Sequence, residues 1–123
     1  MIVIVEDDDS VRVATESLVR SLGFATASFS SAEYFIASPC VQDTACLIVD
    51  VQMPGMSGIE LQRLLQEKDN KTPVIFITAF PEERIRRQAV AAGAIGFLSK
   101  PFDGNALIDC IERALGAGSE CRP

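Results

Sequence analysis

The chain has 123 residues, 48% of them apolar and 23% charged, with only 8 glycines and 6 prolines. That describes one ordinary domain with enough apolar mass for a core, and it excludes two domains, intrinsic disorder and collagen-like repeats. A net charge of −6 would repel a phosphate backbone, so direct binding of nucleic acid by this chain is not expected.

Ile2 to Val5 is a short β-branched run that passes straight into Glu6-Asp7-Asp8-Asp9. A secretory signal has the opposite arrangement, a basic start before a longer apolar centre, so no targeting segment is read and a cytoplasmic location is expected. Val11, Ala14, Leu18, Val19 and Leu22 then share one helical face, which Gly23 stops. Phe24 to Phe29 alternates as a weaker strand, and Ser30-Ser-Ala-Glu33 reads as a capping box opening a short helix that ends before Pro39. Cys46 to Val49 is a third strand, followed by a helix marked by Ile59, Leu61, Leu64 and Leu65. Val74 to Ile77 is a fourth strand. The helix after it begins at Pro81-Glu-Glu83, carries Ile85, Ala89 and Ala92, and stops at Gly93. Ala94 to Leu98 is the last strand, and Asp103 can cap a final helix through Leu107, Ile108, Ile111, Ala114 and Leu115. Gly116 to Pro123 has linker composition. Residues 1–116 are therefore expected as the domain, and 117–123 as a mobile tail or the start of a linker to an output domain. No apolar stretch is long enough to span a bilayer, so no membrane role is expected. The cysteines at 40, 46, 110 and 121 lack metal-site or Cys-x-x-Cys spacing and read as reduced thiols, with Cys46 and Cys110 filling core.

Five alternations of apolar strand and helix imply a parallel sheet buried on both faces. Right-handed crossovers turn this into a doubly wound, flavodoxin-like α/β sandwich with strand order 2-1-3-4-5. Such sheets bind ligands beyond the carboxyl ends of their strands, where the winding reverses, here between the first and third strands. Glu6 and Asp7 end the first and Asp50 ends the third, which brings three carboxylates to one crevice. Clustered carboxylates need a cation or a proton, and with no histidine in the chain their hard oxygens select Mg²⁺ or Mn²⁺. Asp8 and Asp9 read as a solvated loop or helix cap. Thr78 ends the fourth strand and Lys100 follows the fifth. Lys100 precedes Pro101 in a tight turn, where a cis Lys100–Pro101 bond is a fair expectation. One ammonium, one hydroxyl, a metal cage and a carboxylate suit phosphoryl transfer onto the carboxylate itself.

Four segments carry a resemblance across nearly the whole chain: Val5-Glu-Asp-Asp-Asp-Ser-Val-Arg12, Leu47-Ile-Val-Asp-Val-Gln-Met-Pro-Gly-Met-Ser-Gly58, Pro73-Val-Ile-Phe-Ile-Thr-Ala79, and Ala92 to Phe102 with its Lys-Pro-Phe. In this combination and order they resemble the receiver domain of two-component response regulators. Ser31-Ala-Glu-Tyr-Phe35 and Pro73 to Thr78 are most similar to the FixJ subgroup, whose members usually carry a helix-turn-helix output domain. The resemblance implies a phosphoacceptor switch loaded by a sensor histidine kinase, with no enzymatic turnover beyond its own aspartate. It implies Asp50 as phosphoacceptor, and Mg²⁺ held by Asp7, Asp50, Glu6 and the backbone carbonyl of Gln52. Thr78 and Lys100 would contact the phosphoryl group, gaining a partner that they lack beforehand. Phe97 stands at the switch-aromatic position, and the face of the fourth helix, fifth strand and fifth helix would dimerise or control an output domain.

Three departures accompany the resemblance. The first acid is Glu6 where Asp is commoner. Gln52, Ala79 and Phe80 stand where water access to the phosphoryl group is set, and the apolar Phe80 leads to an expectation of slow hydrolysis. Arg84, Arg86 and Arg87 read as a solvated face beside Glu82 and Glu83, with partner contact as the other reading. Two rivals remain. A hydrolase of the haloacid-dehalogenase type would need a second Asp at position 52, which is Gln. A phosphorylation-independent docking module would have no use for Asp7, Asp50, Thr78 and Lys100 together.

Overall fold

The computed structural model describes residues 1–80 and 82–119. Five strands, β1 (Ile2–Val5), β2 (Thr26–Phe29), β3 (Cys46–Asp50), β4 (Val74–Thr78) and β5 (Gly96–Ser99), form one parallel sheet in the order β2-β1-β3-β4-β5. The helices are α1 (Asp9–Ser21), α2 (Ala32–Ala37), α3 (Gly58–Glu67), α4 (Glu83–Ala91) and α5 (Gly104–Ser119), with a 3-10 turn over Pro39–Asp43. The doubly wound α/β class and strand order are those expected from the alternation of apolar runs.

Period-two alternation divides the core between the two faces of the sheet. Val3, Val5, Leu47, Val49, Val74 and Phe76 pack with Ala32, Phe35, Leu61, Leu65 and Ala89 from α2, α3 and α4. Ile2, Ile4, Cys46, Ile48, Ile75 and Ile77 pack with Val19, Leu107, Cys110, Ile111 and Ala114 from α1 and α5. Every residue of β1, β3 and β4 is buried, which is why these strands are apolar throughout instead of alternating. Register pairs Val5 with Val49, Asp50 with Ile77 and Thr78 with Ser99, so the carboxyl ends finish side by side.

Local signals set most of the boundaries. Asp8 caps α1 by accepting from the Val11 N–H at 3.0 Å, and Gly23 and Gly93 end α1 and α4 at φ +95° and +101°, where only glycine is unstrained. The capping box expected at Ser30 and Glu33 does not form. Ser31 caps α2 through the Tyr34 N–H at 3.1 Å, and Glu33 turns elsewhere. The reciprocal box lies instead at Ser57 and Glu60, opening α3, with both bonds made at 3.0 and 3.1 Å. Helix α5 continues to Ser119, into the stretch expected as a tail, and the rest of that stretch lies outside the described residues. Pro81, expected to open α4, and Cys121 also lie outside them.

Helix α4 is shallowly held. Ala89 is its buried residue and Ile85 is half-buried. Two α3 side chains reach across to its carboxyl end, buried Gln62 donating to the Ala89 carbonyl at 3.4 Å and Gln66 donating to that of Ala92. Cys46 and Cys110 are free thiols within the core, and burial pushes the Cys46 thiol up to about 12. No helix among the described residues is long and apolar enough to cross a membrane.

Candidate functional site

The parallel register delivers Glu6, Asp50 and Thr78 to one end of the sheet, and β5 continues to Lys100 beside them. One oxygen from each of Glu6, Asp7 and Asp50 lies within 4.8 Å of the others. Glu6 is fully buried and Asp50 nearly so, whereas Asp7 faces solvent. Lys100 Nζ lies 2.7 Å from Asp50 Oδ2 and 2.6 Å from Glu6 Oε1, one ammonium bridging two carboxylates. Glu6 Oε2 accepts from the Asp8 N–H at 3.1 Å, and Asp50 Oδ1 accepts from the Gln52 N–H at 2.8 Å.

Burial is the main reason the Glu6 carboxyl is pushed up to about 7, and the nearby charge of Asp50 adds to it while Lys100 opposes it. Burial also works against the Lys100 charge, but Asp50 and Glu6 outweigh it and hold the lysine above its ordinary value. The cluster is therefore rich in negative charge that a single ammonium does not balance. Three hard carboxylate oxygens open to water at Asp7 fit a divalent cation of the Mg²⁺ kind.

The surroundings hold these groups in place. Arg12 Nη1 donates to the Glu6 carbonyl at 2.9 Å, tying the β1–α1 turn to α1. Gly58 starts α3 directly against the strand that carries Asp50. A Cβ on it would lie 2.4 Å from the Asp50 carbonyl oxygen, and its N–H donates to the Val51 carbonyl at 3.1 Å. Thr78 Oγ1 accepts from the Phe80 N–H at 3.1 Å and keeps its own proton to donate. The Lys100 N–H donates to the Thr78 carbonyl at 2.7 Å, and the Lys100–Pro101 bond is cis.

Comparisons with known proteins place the chain in a family. Residues 2–112 match the response regulator receiver domain. The chain belongs to that family. Among curated proteins, the receiver domain is 43% identical over 115 residues to the response regulator protein TmoT of Ectopseudomonas mendocina, covering 94% of this chain and 52% of that one. It is 35% identical to the transcriptional regulatory protein FixJ of Azorhizobium caulinodans, covering 95% and 56%. Among solved structures, the response regulator StyR superposes with a TM-score of 0.89 at 42% identity, over 98% of this chain and 61% of that one. The FixJ-N crystal structure superposes at 0.84 with 36% identity, over 94% and 92%. The receiver domain thus spans about half the length of the curated relatives it matches.

Not every residue singled out from the sequence meets at this cluster. Glu6, Asp7, Asp50 and Lys100 come together, and Thr78 ends the strand next to that of Asp50. Gln52 is exposed and enters through its backbone, while Ala79 and Phe80 are exposed on the loop after β4. Phe97 is half-buried, its ring tilted at 52° to that of Phe76 with centroids 6.3 Å apart. Arg86 and Arg87 are exposed and paired with Glu83, the solvated arrangement. One expectation needs correcting: Lys100 does not lack a partner, because Glu6 and Asp50 already share it. Gly58 and Arg12 close two of the segments that carry the resemblance, but their contacts with Asp50 and with the Glu6 carbonyl emerge only in the fold. The signal for Gly58 was present, a glycine directly after a capping serine, where helix propensity alone would favour another residue.

Proposed function

We propose that this receiver domain is a phosphoacceptor switch in which Asp50 takes a phosphoryl group from a sensor histidine kinase. The observation that carries the reading is the Asp50 carboxylate itself. It is buried at the end of β3, oriented through both oxygens by the Gln52 N–H and Lys100, and set beside two further carboxylates. In the transfer, an Asp50 oxygen bonds to phosphorus as the bond from phosphorus to the donor histidine nitrogen breaks, and that nitrogen keeps the electron pair. Lys100 balances charge on the phosphoryl oxygens and Thr78 donates its hydroxyl proton to one of them. Glu6, Asp7, Asp50 and the Gln52 carbonyl would hold Mg²⁺, which supplies the positive charge that lets an anionic carboxylate meet an anionic donor. Chemistry is confined to the domain's own aspartate, since position 52 offers no second acid and the chain no histidine.

The output reading follows from how loosely α4 is held. Drawing Thr78 and its loop towards a phosphoryl group would make room for Phe97 to rotate away from Phe76, repacking the α4–β5–α5 face. That face would dimerise or control an output domain, and the location of such a switch is the cytoplasm. Intact mass after incubation with Mg²⁺ and acetyl phosphate tests the reading. One added phosphoryl mass on the wild type and none on Asp50→Asn is the expected result. No adduct and no Mg²⁺ binding would overturn it in favour of a phosphorylation-independent docking module.

A further inference from the structure

The loop from Gln52 to Ser57 carries the Gln52 N–H that orients Asp50 and the Gln52 carbonyl assigned above to the metal. Its course therefore decides whether both groups are correctly placed. The first end is fixed by the bond from Gln52 N–H to Asp50 Oδ1 at 2.8 Å and by the buried side chain of Met53. The far end is fixed by the Ser57–Glu60 capping box and by the Gly58 N–H on the Val51 carbonyl. Between them, Pro54-Gly55-Met56 has no helix or strand to support it.

A side chain from another element occupies that gap. Glu33, in the first turn of α2, does not fold back on its own cap. Its Oε2 accepts from the Met56 N–H at 3.0 Å, across 23 residues of sequence. The same carboxylate lies on Gly55, whose φ is +76°. A Cβ built there would come within 2.5 Å of Glu33 Oε2. Glycine at 55 thus serves the turn and leaves room for the carboxylate. A charged acceptor makes a shorter and stronger bond to a backbone N–H than a neutral one, which suits a group that must hold a loop while exposed to water.

We propose that Glu33 is a positioning residue for the cation site, latching the β3–α3 loop through Gly55 and Met56 so that the Gln52 backbone faces Asp50 and the bound metal. The inference rests on the Mg²⁺ reading above. Outer-shell partners of metal ligands influence affinity without touching the ion.

The test is Mg²⁺ titration of wild type, Glu33→Ala and Glu33→Gln, followed by the backbone amide shifts of Gln52 and Met56 in ¹H–¹⁵N spectra. Glu33→Ala is expected to speed Met56 amide exchange in the metal-free protein and weaken Mg²⁺ binding by about tenfold, the low end for outer-shell groups. Glu33→Gln, which keeps an acceptor oxygen, is expected to recover most of both. Gly55→Ala, which puts a Cβ within 2.5 Å of the carboxylate and an alanine at φ +76°, should weaken Mg²⁺ binding as Glu33→Ala does, and combining the two should weaken it little further, because the latch is already broken by either one. Acetyl phosphate labelling should slow at low Mg²⁺ and recover at saturating Mg²⁺. If wild type and Glu33→Ala bind Mg²⁺ equally, the latch is only structural and the proposal fails alone. If wild type shows no Mg²⁺-dependent shift, the metal reading fails and the latch falls with it.

Discussion

Replacing Gly58 by alanine tests whether α3 must begin in contact with the strand that carries Asp50. The added Cβ would stand 2.4 Å from the Asp50 carbonyl oxygen and 3.1 Å from Phe76 Cε1, where ordinary contact begins at 3.4 Å. Neither neighbour can yield easily, since Asp50 is paired to Ile77 within the sheet and Phe76 is fully buried. The first turn of α3 must therefore retreat by about 1 Å, stretching the bond from Gly58 N–H to the Val51 carbonyl. Overpacking of this kind costs about 1–3 kcal/mol and the weakened hydrogen bond up to ~1 kcal/mol, while the better helix propensity of alanine returns less than ~1 kcal/mol. The net loss is about 2 kcal/mol. With an unfolding entropy near 2.1 cal/mol/K per residue, that lowers Tm by about 8 °C for a domain of this size. Thermal melts followed by circular dichroism measure it, with Gly104→Ala as control. Gly104 also opens a helix, but its Cβ would meet Leu18 at an ordinary 3.6 Å, so that variant should keep the propensity gain without the clash and melt at or a few degrees above the wild type. A Gly58→Ala melt within about 2 °C of wild type would refute the argument that backbone contact fixes the start of α3.

Three further changes address the charge cluster and the switch. Lys100→Met removes the ammonium that competes with a metal for Glu6 and Asp50, so Mg²⁺ should bind more tightly by calorimetry; weaker binding would contradict that view. In the metal-free protein it should also destabilise, by less than the ~3–5 kcal/mol of a stranded buried charge, because Glu6 can take up a proton instead. The Glu6 carboxyl is raised from 4.5 to about 7 in the fold, so between those pH values the folded chain holds a proton that the unfolded chain has lost. Metal-free stability should accordingly fall as pH climbs through that window, and Glu6→Gln should flatten the fall; parallel stability–pH curves for the two proteins would count against it. Phe97→Ala should leave Asp50 phosphorylation intact while reducing phosphorylation-induced shifts in α4 amides, and undiminished shifts would remove Phe97 from the switch.

Most of the fold was legible because its strands are short, apolar throughout and buried on both faces, so that a change of period marked each boundary. The chemistry was legible for the same reason. In a parallel sheet the residue that ends a strand is the residue at the site, so Glu6, Asp50 and Thr78 could be placed by position alone. What stayed hidden depends on where side chains go after the backbone is set. Ser30 to Glu33 and Ser57 to Glu60 carry the same Ser-x-x-Glu spacing, yet only the second closes into a capping box. Glu33 had a better use, because folding brings the Met56 N–H of the loop after β3 within its reach. Nothing local distinguishes the two serine–glutamate pairs. The partners of Lys100 were hidden for a similar reason, since whether an ammonium waits free or already bridges two carboxylates is a matter of ångströms at the end of a strand.

That bridging changes the energetics of the proposed switch. Were Lys100 free, a phosphoryl group on Asp50 would add a whole new ion pair to the phosphorylated state. Because Glu6 and Asp50 already hold it at 2.6 and 2.7 Å, phosphorylation exchanges one partner for another, and only the difference between two pairings is available to move the fold. Shifting a population from 1:99 to 99:1 takes about 5.5 kcal/mol of differential binding. A charge-assisted hydrogen bond contributes about 1.5–3 kcal/mol. The exchange at Lys100 therefore falls short alone, and Thr78, whose hydroxyl proton has yet to be spent on the phosphoryl group, must supply a comparable share. It follows that Thr78→Val, which keeps the shape and removes the donor, should uncouple phosphorylation from α4 more completely than its size suggests. A Thr78→Val receiver whose α4 amides still shift as in wild type would mean that the lysine exchange is worth more than this arithmetic allows.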